Sequence, residues 1–364
     1  MFRWKTLRKL AVSMVLAATC AGVHADQRNT STLAVVMTND TQTNQIKVYD
    51  TRTKVLLQTL STDGQGGVGG NARGVKQFEG DIVAAVNFGS NSVAIFKRQG
   101  DRLRFDRTVT TTSPPVSIDF GNDHMYVAGA TTIDSFELHQ GSVGWRDGSA
   151  RLQLVAGGVP PAGSTAQVGV LDRKSVLVTL KTDPDPGTVD IVRLNSRGAV
   201  TDAVTPVSAP EGTLTPFGFS VYPDGTALIT LAHSSHDGLF RDGAFAAITA
   251  AGQGAPCWTT RVGKYVFSAN TGAQTISRLI GTGRNVFVDQ AIAGQIPTGA
   301  PSDIDADNGV MGVMDHGGGQ SHLTLFVYNV FGELISGGAP INLGVANANG
   351  VAILGPTPRE RDRD

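Results

Sequence analysis

The sequence predicts an all-β protein made of repeated units, on the basis of its composition, its turn residues and its internal repeats. Glycine accounts for 45 of the 364 residues, whereas an average protein contains about 7% glycine. Charged residues make up only 17% of the chain, below the usual share of about 25%. This composition is typical of a turn-rich β protein. Length alone leaves the number of domains open, because large all-β folds of this size often form one domain.

A recurring unit runs through the chain from residue 33 onwards. Each copy has a Gly- or Pro-rich leading segment, an apolar strand, a tight turn and a second strand in which apolar residues alternate. The clearest copies cover residues 33–49, 81–96 and 265–279, and weaker copies cover residues 125–136, 176–192, 227–248 and 310–327. A repeat of this kind indicates an architecture in which equivalent units pack side by side.

The number and length of the units predict a seven-bladed β-propeller. Removing a leader of 25 residues from the 364 leaves seven units of about 48 residues each, close to the roughly 40 to 50 residues of a four-stranded blade. One more strand remains at residues 346–354. We expect this strand to pair with the N-terminal blade and close the ring, which removes the exposed sheet edges. The propeller should span residues 26–355, followed by a charged, disordered tail at 356–364.

The first 25 residues predict a signal peptide. Four Lys or Arg residues among the first nine precede an apolar stretch at residues 10–18, and a small-residue cleavage pattern ends at Ala25. We therefore expect a periplasmic or secreted protein, with lipid attachment at Cys20 as the alternative. The apolar stretch is shorter than the roughly 20 residues that span a bilayer, so we expect no membrane span.

Cleavage after Ala25 would leave Cys257 as the single cysteine, which excludes an internal disulfide. No His or cationic residue in the local sequence would activate its thiol, so we expect Cys257 to be a small buried residue. The formal net charge is −1 and the chain contains no internal Lys/Arg cluster. Nucleic acid is therefore not an expected partner.

The segment Asp303-Ile-Asp305-Ala-Asp307 resembles the start of a calcium-binding loop. Asn308 stands where such a loop needs glycine, and Met314 stands where it needs a bidentate glutamate. The segment is therefore interpreted as a strand followed by an Asn-Gly hairpin turn. We expect neither a metal ion nor a cofactor.

The pattern of units resembles the lactonase-type seven-bladed β-propeller family, which includes propeller 6-phosphogluconolactonases and muconate cycloisomerase-like proteins. The resemblance covers nearly the whole chain after the leader. The segments that carry it are Gly70-Asn71-Ala72-Arg73-Gly74, Thr215-Pro216-Phe217-Gly218-Phe219, Pro256-Cys257-Trp258 and the turn from Asn270 to Ser277. The resemblance implies a hydrolase that opens a cyclic ester at one end of the central channel.

In a propeller, the segments that lead into the innermost strands surround one end of the channel, so polar residues in them converge. Lactone hydrolysis needs a base that activates water and a donor or cation for the developing oxyanion. The histidines or Asp303 could provide the base, and Arg73 could stabilise the oxyanion. The candidate catalytic residues are Arg73, His316, Asp303 and His233, and the candidate substrate-binding residues are Asn71, Gln167, Phe217 and Trp258.

The alternative is a non-catalytic periplasmic or secreted propeller that binds a protein, a glycan or a small molecule. The sequence favours this alternative to the extent that it contains no complete catalytic motif, such as the Gly-x-Ser-x-Gly turn of serine hydrolases. In both cases we expect a monomer whose ligand or partner binds at the propeller face.

Overall fold

The computed structural model describes residues 31–154, 163–181 and 187–356. The predicted signal peptide and residues 357–364 of the predicted tail lie outside the described residues. Among the described residues, no helix has both the length and the apolar character needed to cross a membrane.

The described residues form seven antiparallel sheets, which we number as blades 1 to 7. From the innermost strand outwards, blade 1 contains β29 (Asn349–Leu354), β1 (Leu33–Met37), β2 (Gln45–Asp50) and β3 (Leu56–Ser61); blade 2 contains β4 (Val75–Phe78), β5 (Ile82–Asn87), β6 (Ser92–Gln99) and β7 (Arg102–Thr110); blade 3 contains β8 (Pro115–Gly121), β9 (His124–Gly129), β10 (Thr132–His139) and β11 (Ser142–Arg151). Blade 4 contains β12 (Thr165–Val170), β13 (Ser175–Leu180), β14 (Thr188–Leu194) and β15 (Val200–Ser208); blade 5 contains β16 (Pro216–Val221), β17 (Ala227–Leu231), β18 (His236–Arg241) and β19 (Ala244–Thr249). Blade 6 contains β20 (Pro256–Val262), β21 (Tyr265–Asn270), β22 (Thr275–Thr282) and β23 (Asn285–Gln295); blade 7 contains β24 (Ala300–Asp307), β25 (Val310–Gly317), β26 (Gln320–Tyr328), β27 (Leu334–Ser336) and β28 (Ile341–Asn342). Two short 3₁₀ helices, η1 (Phe88–Ser90) and η2 (Ala232–Ser234), follow β5 and β17.

The blades form a closed ring. Each innermost strand contacts the innermost strand of the next blade, and the series returns from β24 through β29 to β4. The C-terminal strand β29 pairs antiparallel with β1, with Val35 opposite Ala352. The predicted seven-bladed propeller and its closure by the C-terminal strand are therefore confirmed.

The core lies between the blades. In the second strand of blades 2 and 4, β5 and β13, every residue is buried, because each of these strands is covered by a neighbouring blade on both faces. The outermost strands, such as β7, are mostly exposed. The apolar runs in the sequence are therefore second strands, and the alternating segments lie nearer the outside of the ring.

A ladder of hydrogen bonds connects blade 7 to the closing strand β29. Carboxylate oxygens of Asp303, Asp305 and Asp307 accept hydrogen bonds from the backbone N–H groups of Val351 (3.2 Å), Ile353 (2.9 Å) and Gly355 (2.8 Å). These N–H groups lie on the channel-facing edge of β29, with which no other strand of the described residues pairs. The three carboxylates thus complete the ring.

The interpretation of residues 303–309 as a strand and a turn is also confirmed. Asp303–Asp307 belongs to β24. Asn308 and Gly309 have φ values of 46° and 76°, as a two-residue hairpin turn with two left-handed residues requires.

Candidate functional site

A segment between blades 1 and 2, residues 70–74, crosses the central channel and is called the crossing segment below. The side-chain amide of Asn71 donates to the carbonyl of Val116 in blade 3 (2.7 Å). The backbone carbonyl of Asn71 accepts a hydrogen bond from the indole Nε1 of Trp258 in blade 6 (2.9 Å). The N–H of Ala72 donates to the carbonyl of Ala166 in blade 4 (3.0 Å). The crossing segment is therefore held from several sides of the ring at once.

Arg73 extends the same network. Its Nη2 donates to the carbonyl of Phe219 in blade 5 (3.2 Å), and its Nη1 lies 3.6 Å from a carboxylate oxygen of Asp119 in blade 3. Arg73 has a φ of 58°, a left-handed backbone conformation that costs energy in a residue with a Cβ atom. Because the guanidinium contacts blades 3 and 5, these tertiary contacts compensate for the cost of the backbone conformation.

Gln167 and Asp303 also make contacts between blades. Gln167 is fully buried, and its side-chain amide exchanges two hydrogen bonds with the backbone of Phe219, at 2.7 and 2.9 Å. Burial raises the pKa of Asp303 to about 7, although its carboxylate accepts backbone N–H groups. Neither residue lines the cavity described next, and Arg73 does not line it either.

A cavity of about 750 Å³ lies at the end of the channel where the innermost strands begin, and we call it the mouth cavity. The crossing segment contributes Gly70 and Asn71 to its wall. The other lining residues come from blades 1, 5, 6 and 7, from the segments that lead into them, and from residues 67–69, which precede the crossing segment. Five candidate residues line it: Asn71, Phe217, His233, Trp258 and His316.

His316 is the half-buried titratable residue of the mouth cavity. Its Nδ1 lies 3.0 Å from the hydroxyl of Ser321, and the same hydroxyl accepts the N–H of Ala348 (3.1 Å). Burial lowers the pKa of His316, and this effect outweighs the opposing influence of the Ala346 carbonyl and of Asp315. The imidazole is therefore oriented and is neutral at pH 7.

His233 differs from His316 in its setting. It lies on η2, is exposed to solvent, and contributes to the wall of the mouth cavity. Ser235 follows η2 with a φ of 56°, which turns the chain into β18.

Two aromatic residues form an apolar wall of the mouth cavity. The rings of Phe217 and Trp258 meet edge to face, with centroids 5.5 Å apart and planes at 81°. The hydrogen bond from Trp258 to Asn71 fixes the indole. Cys257 lies beside them, and burial raises the pKa of its thiol to about 11. The prediction that Cys257 is buried is confirmed.

Sequence reasoning missed Lys181, which follows β13 directly. Its side chain is only 4% exposed, and its Nζ donates to the carbonyl of Thr165 (2.7 Å). Burial lowers its pKa to about 8. A lysine after an apolar strand usually marks the surface, so the sequence carries no signal for this position. Within the described residues, no cluster of three or more His, Cys, Asp or Glu is placed to hold a metal ion.

The described residues form a closed ring of seven blades, and solved structures of lactonase-type propellers share this fold. Among solved structures, the chain is similar to the periplasmic gluconolactonase of Pseudomonas aeruginosa, with 13% identity, a TM-score of 0.65, and coverage of 90% of this chain and 100% of the other. It is equally similar to a provisionally assigned 6-phosphogluconolactonase of Bacteroides uniformis, with 15% identity, a TM-score of 0.65, and coverage of 89% and 99%.

A more distant similarity exists to a catalytically inactive variant of virginiamycin B lyase from Staphylococcus aureus, solved with quinupristin. The identity is 14%, the TM-score is 0.53, and the match covers 78% of this chain and 92% of the lyase. No sequence-family model matches the chain, and no curated protein shows significant sequence similarity to it. At these identities the similarities establish the common fold, whereas activity depends on the site.

Proposed function

We propose that this protein is an exported, lactonase-like propeller that hydrolyses a cyclic ester in the mouth cavity. The observation that carries the proposal is His316, a neutral and oriented imidazole in the wall of a cavity large enough for a small ring. General bases work best when their pKa lies near the operating pH. The predicted signal peptide supports export.

In the proposed reaction, His316 takes a proton from a water molecule while the water oxygen adds to the lactone carbonyl carbon. The ring C–O bond then breaks, and the protonated imidazole returns the proton to the departing alkoxide, so that the product is a hydroxy acid. Because Nδ1 contacts Ser321, we assign the role of base to Nε2.

The developing oxyanion needs hydrogen-bond donors. Asn349 lines the mouth cavity, and its side-chain amide donates one N–H to the Oδ1 of Asn71 (2.9 Å). A side-chain amide carries a second N–H, which we assign to the oxyanion. Arg73, Asp303 and His233 stay catalytic candidates from the sequence. The first two are engaged between blades, so His316 and Asn349 are the residues we would test first.

The test measures proton release during hydrolysis of a panel of lactones by the purified protein, corrected for spontaneous hydrolysis. Replacing His316 with Gln should lower kcat by at least about 100-fold, since general-base catalysis typically contributes that much or more. Burial lowers the pKa of His316 below 6.5. As the pH rises, kcat/KM should therefore increase while the imidazole loses its proton, and it should be constant at pH values above the pKa of His316.

The matched control is His139→Gln, which changes an exposed histidine at the end of β10 and should leave hydrolysis unchanged. Activity that survives in H316Q would contradict the assignment of the base. If no lactone is hydrolysed, the alternative of a binding propeller is favoured. The hydrogen bonds of the crossing segment fix Asn71 in the wall of the mouth cavity, so a ligand would bind to a preformed site.

A further inference from the structure

The innermost strands of blades 3 to 7 share an irregularity close to their first residue. In each blade the innermost strand has one residue more than the strand opposite it, which is a β-bulge. Bulges are frequent beside active sites, because they change the direction of a side chain. The bulged residues of blades 3, 4, 6 and 7 are Val116, Ala166, Cys257 and Ser302, and in blade 5 the bulge covers Phe217 and Gly218.

The five bulges divide into two groups. The backbone carbonyls of Val116 and Ala166 accept hydrogen bonds from the crossing segment, so these two bulges hold that segment. Phe217, Cys257 and Ser302 line the mouth cavity instead. A ligand in the mouth cavity would therefore contact the side chains at the bulges of blades 5, 6 and 7.

Ser302 has a buried hydroxyl that the protein itself does not use. The residue is only 7% exposed, and its Oγ has no hydrogen-bond partner in the part of the chain that the structure describes. A buried hydroxyl without a partner costs free energy. Because Ser302 lines the mouth cavity and its hydroxyl changes direction by rotation about χ1, a ligand can supply the missing partner.

The apolar wall beside Ser302 offers carbon atoms to a ligand. The indole N–H of Trp258 is already bonded to Asn71, and Phe217 has no polar side-chain atom. Burial raises the pKa of the Cys257 thiol to about 11, so the thiol is neutral at pH 7. None of the described residues that line the mouth cavity is Asp, Glu, Lys or Arg. An ionised ligand group would lose its water here without gaining an opposite charge.

We propose that the substrate is an uncharged lactone with an alkyl or aryl substituent. The substituent packs against Phe217 and Trp258, and the Ser302 hydroxyl forms a hydrogen bond with an oxygen of the lactone. The proposal rests on the proposed function in placing a lactone in the mouth cavity. A carboxylate, a phosphate or a row of hydroxyl groups in place of the apolar substituent would lie against carbon atoms and lose its hydrogen bonds with water.

Equilibrium binding of lactams tests the proposal without turnover, because an amide ring resists hydrolysis. Isothermal titration of the purified protein would compare three six-membered lactams: 6-propylpiperidin-2-one, 6-oxopiperidine-2-carboxylate and gluconolactam, whose substituents are apolar, anionic and hydroxylated. The propyl lactam should bind at least about tenfold more tightly than either of the others. Burying the three carbon groups of the propyl chain contributes that much or more.

Ser302→Ala should weaken binding of the propyl lactam by about three- to tenfold, the usual contribution of one hydrogen bond. Its free energy of unfolding should equal or exceed that of the parent protein, because the variant loses a hydroxyl that has no partner. A purely structural role of Ser302 predicts the opposite pair of results. Thr324→Val is the matched control: its buried hydroxyl also has no partner among the described residues, and Thr324 does not line the mouth cavity. This control should bind the lactam like the parent.

Tryptophan fluorescence locates the bound lactam. Trp145→Phe removes the indole on β11, which is 93% exposed, so that the signal from the apolar wall is easier to resolve. Saturation with the propyl lactam should change the emission of Trp258 in this variant. Unchanged emission would place the lactam away from the apolar wall and would overturn the proposal.

Three further results would overturn it: equal or tighter binding of the anionic or hydroxylated lactam, an unchanged affinity in S302A, or no binding of any lactam. Binding as expected without hydrolysis of any lactone would contradict the proposed hydrolase and leave the preference for an uncharged, apolar ligand standing. Hydrolysis that survives in H316Q would contradict only the assignment of the base.

Discussion

Single buried side chains of this propeller ionise differently from their exposed counterparts. Burial raises the pKa of Asp190 to about 6 and that of Asp237 to about 7, and it lowers the pKa of Lys181. All three shifts favour the neutral form, as desolvation does. Asp190 still accepts the N–H of Gln153 (2.7 Å). For Asp237, the side chain of Ser268 only partly opposes the effect of burial.

Asp237 should therefore make the fold less stable as the pH rises. Its folded-state pKa of about 7 lies above the ordinary value of 3.8, so the protonated form stabilises the folded protein. This contribution is complete below pH 4 and is lost as the pH rises from 4 to about 7. In Asp237→Asn, the decrease in unfolding free energy between pH 5 and pH 8 should be smaller, by on the order of a few kcal/mol.

Urea denaturation at the two pH values measures this effect. Asp202→Asn, at an exposed position on β15, is the control and should retain the pH dependence of the parent. An equal pH dependence in D237N and the parent would show that Asp237 is ionised in the folded protein.

At this scale the sequence predicts the position of some candidate residues and not of others. Asn71, Phe217 and Trp258 were predicted at the channel mouth from their position in the repeating unit, and all three line the cavity. The side-chain direction of Arg73 could not be predicted in the same way. The direction of the Arg73 side chain is set by its hydrogen bond to the backbone of Phe219, which is 146 residues away in the sequence. This contact depends on how the blades pack, and the position of Arg73 in the sequence does not reveal that packing.

At the scale of the strand, β29 is the element on which the ring depends. It pairs with β1 on one edge, and on the other edge it donates three backbone N–H groups to the carboxylates of β24. The strand was predicted because one apolar segment remained after the seventh unit. The aspartate ladder was not predicted, because alternate aspartates in a sequence also suit a turn, a metal loop or an exposed strand face.

Deleting residues 349–364 should prevent the protein from folding to a stable monomer. The deletion leaves β1 with an unpaired edge and removes the N–H groups of residues 351, 353 and 355 that Asp303, Asp305 and Asp307 accept. Exposed edges promote association between chains. Size-exclusion chromatography and circular dichroism would detect aggregation and loss of the cooperative transition. The shorter deletion of residues 357–364 keeps β29 and should behave like the full chain; a folded monomer after the longer deletion would contradict the role of β29.

At the scale of the whole molecule, the crossing segment connects blades that are distant in sequence. Its backbone and side chains contact blades 1, 3, 4 and 6, and Arg73 adds blade 5. Contacts of such long sequence separation carry a loop-closure cost that falls once the intervening chain is ordered. The segment therefore stabilises the completed ring.

Arg73→Met should lower the free energy of unfolding by about 2 to 3 kcal/mol, because it removes a hydrogen bond to Phe219 and leaves Asp119 without its nearest cation. In a double-mutant cycle with Asp119→Asn, the combined loss should be smaller than the sum of the two single losses. Urea denaturation at constant pH supplies all four values. Additive losses would show that the 3.6 Å approach of Arg73 to Asp119 contributes nothing to stability.

Proteins built from repeats commonly change in evolution by gaining or losing a whole unit, since each unit mainly contacts its neighbours. The crossing segment opposes such a change here. The channel of a six- or eight-bladed ring would have a different diameter, and the partners of Asn71, Ala72 and Arg73 would no longer lie within hydrogen-bond distance of one short peptide. A unit could be duplicated or deleted only if residues 70–74 changed at the same time. The contacts of this segment therefore restrict the number of blades to seven.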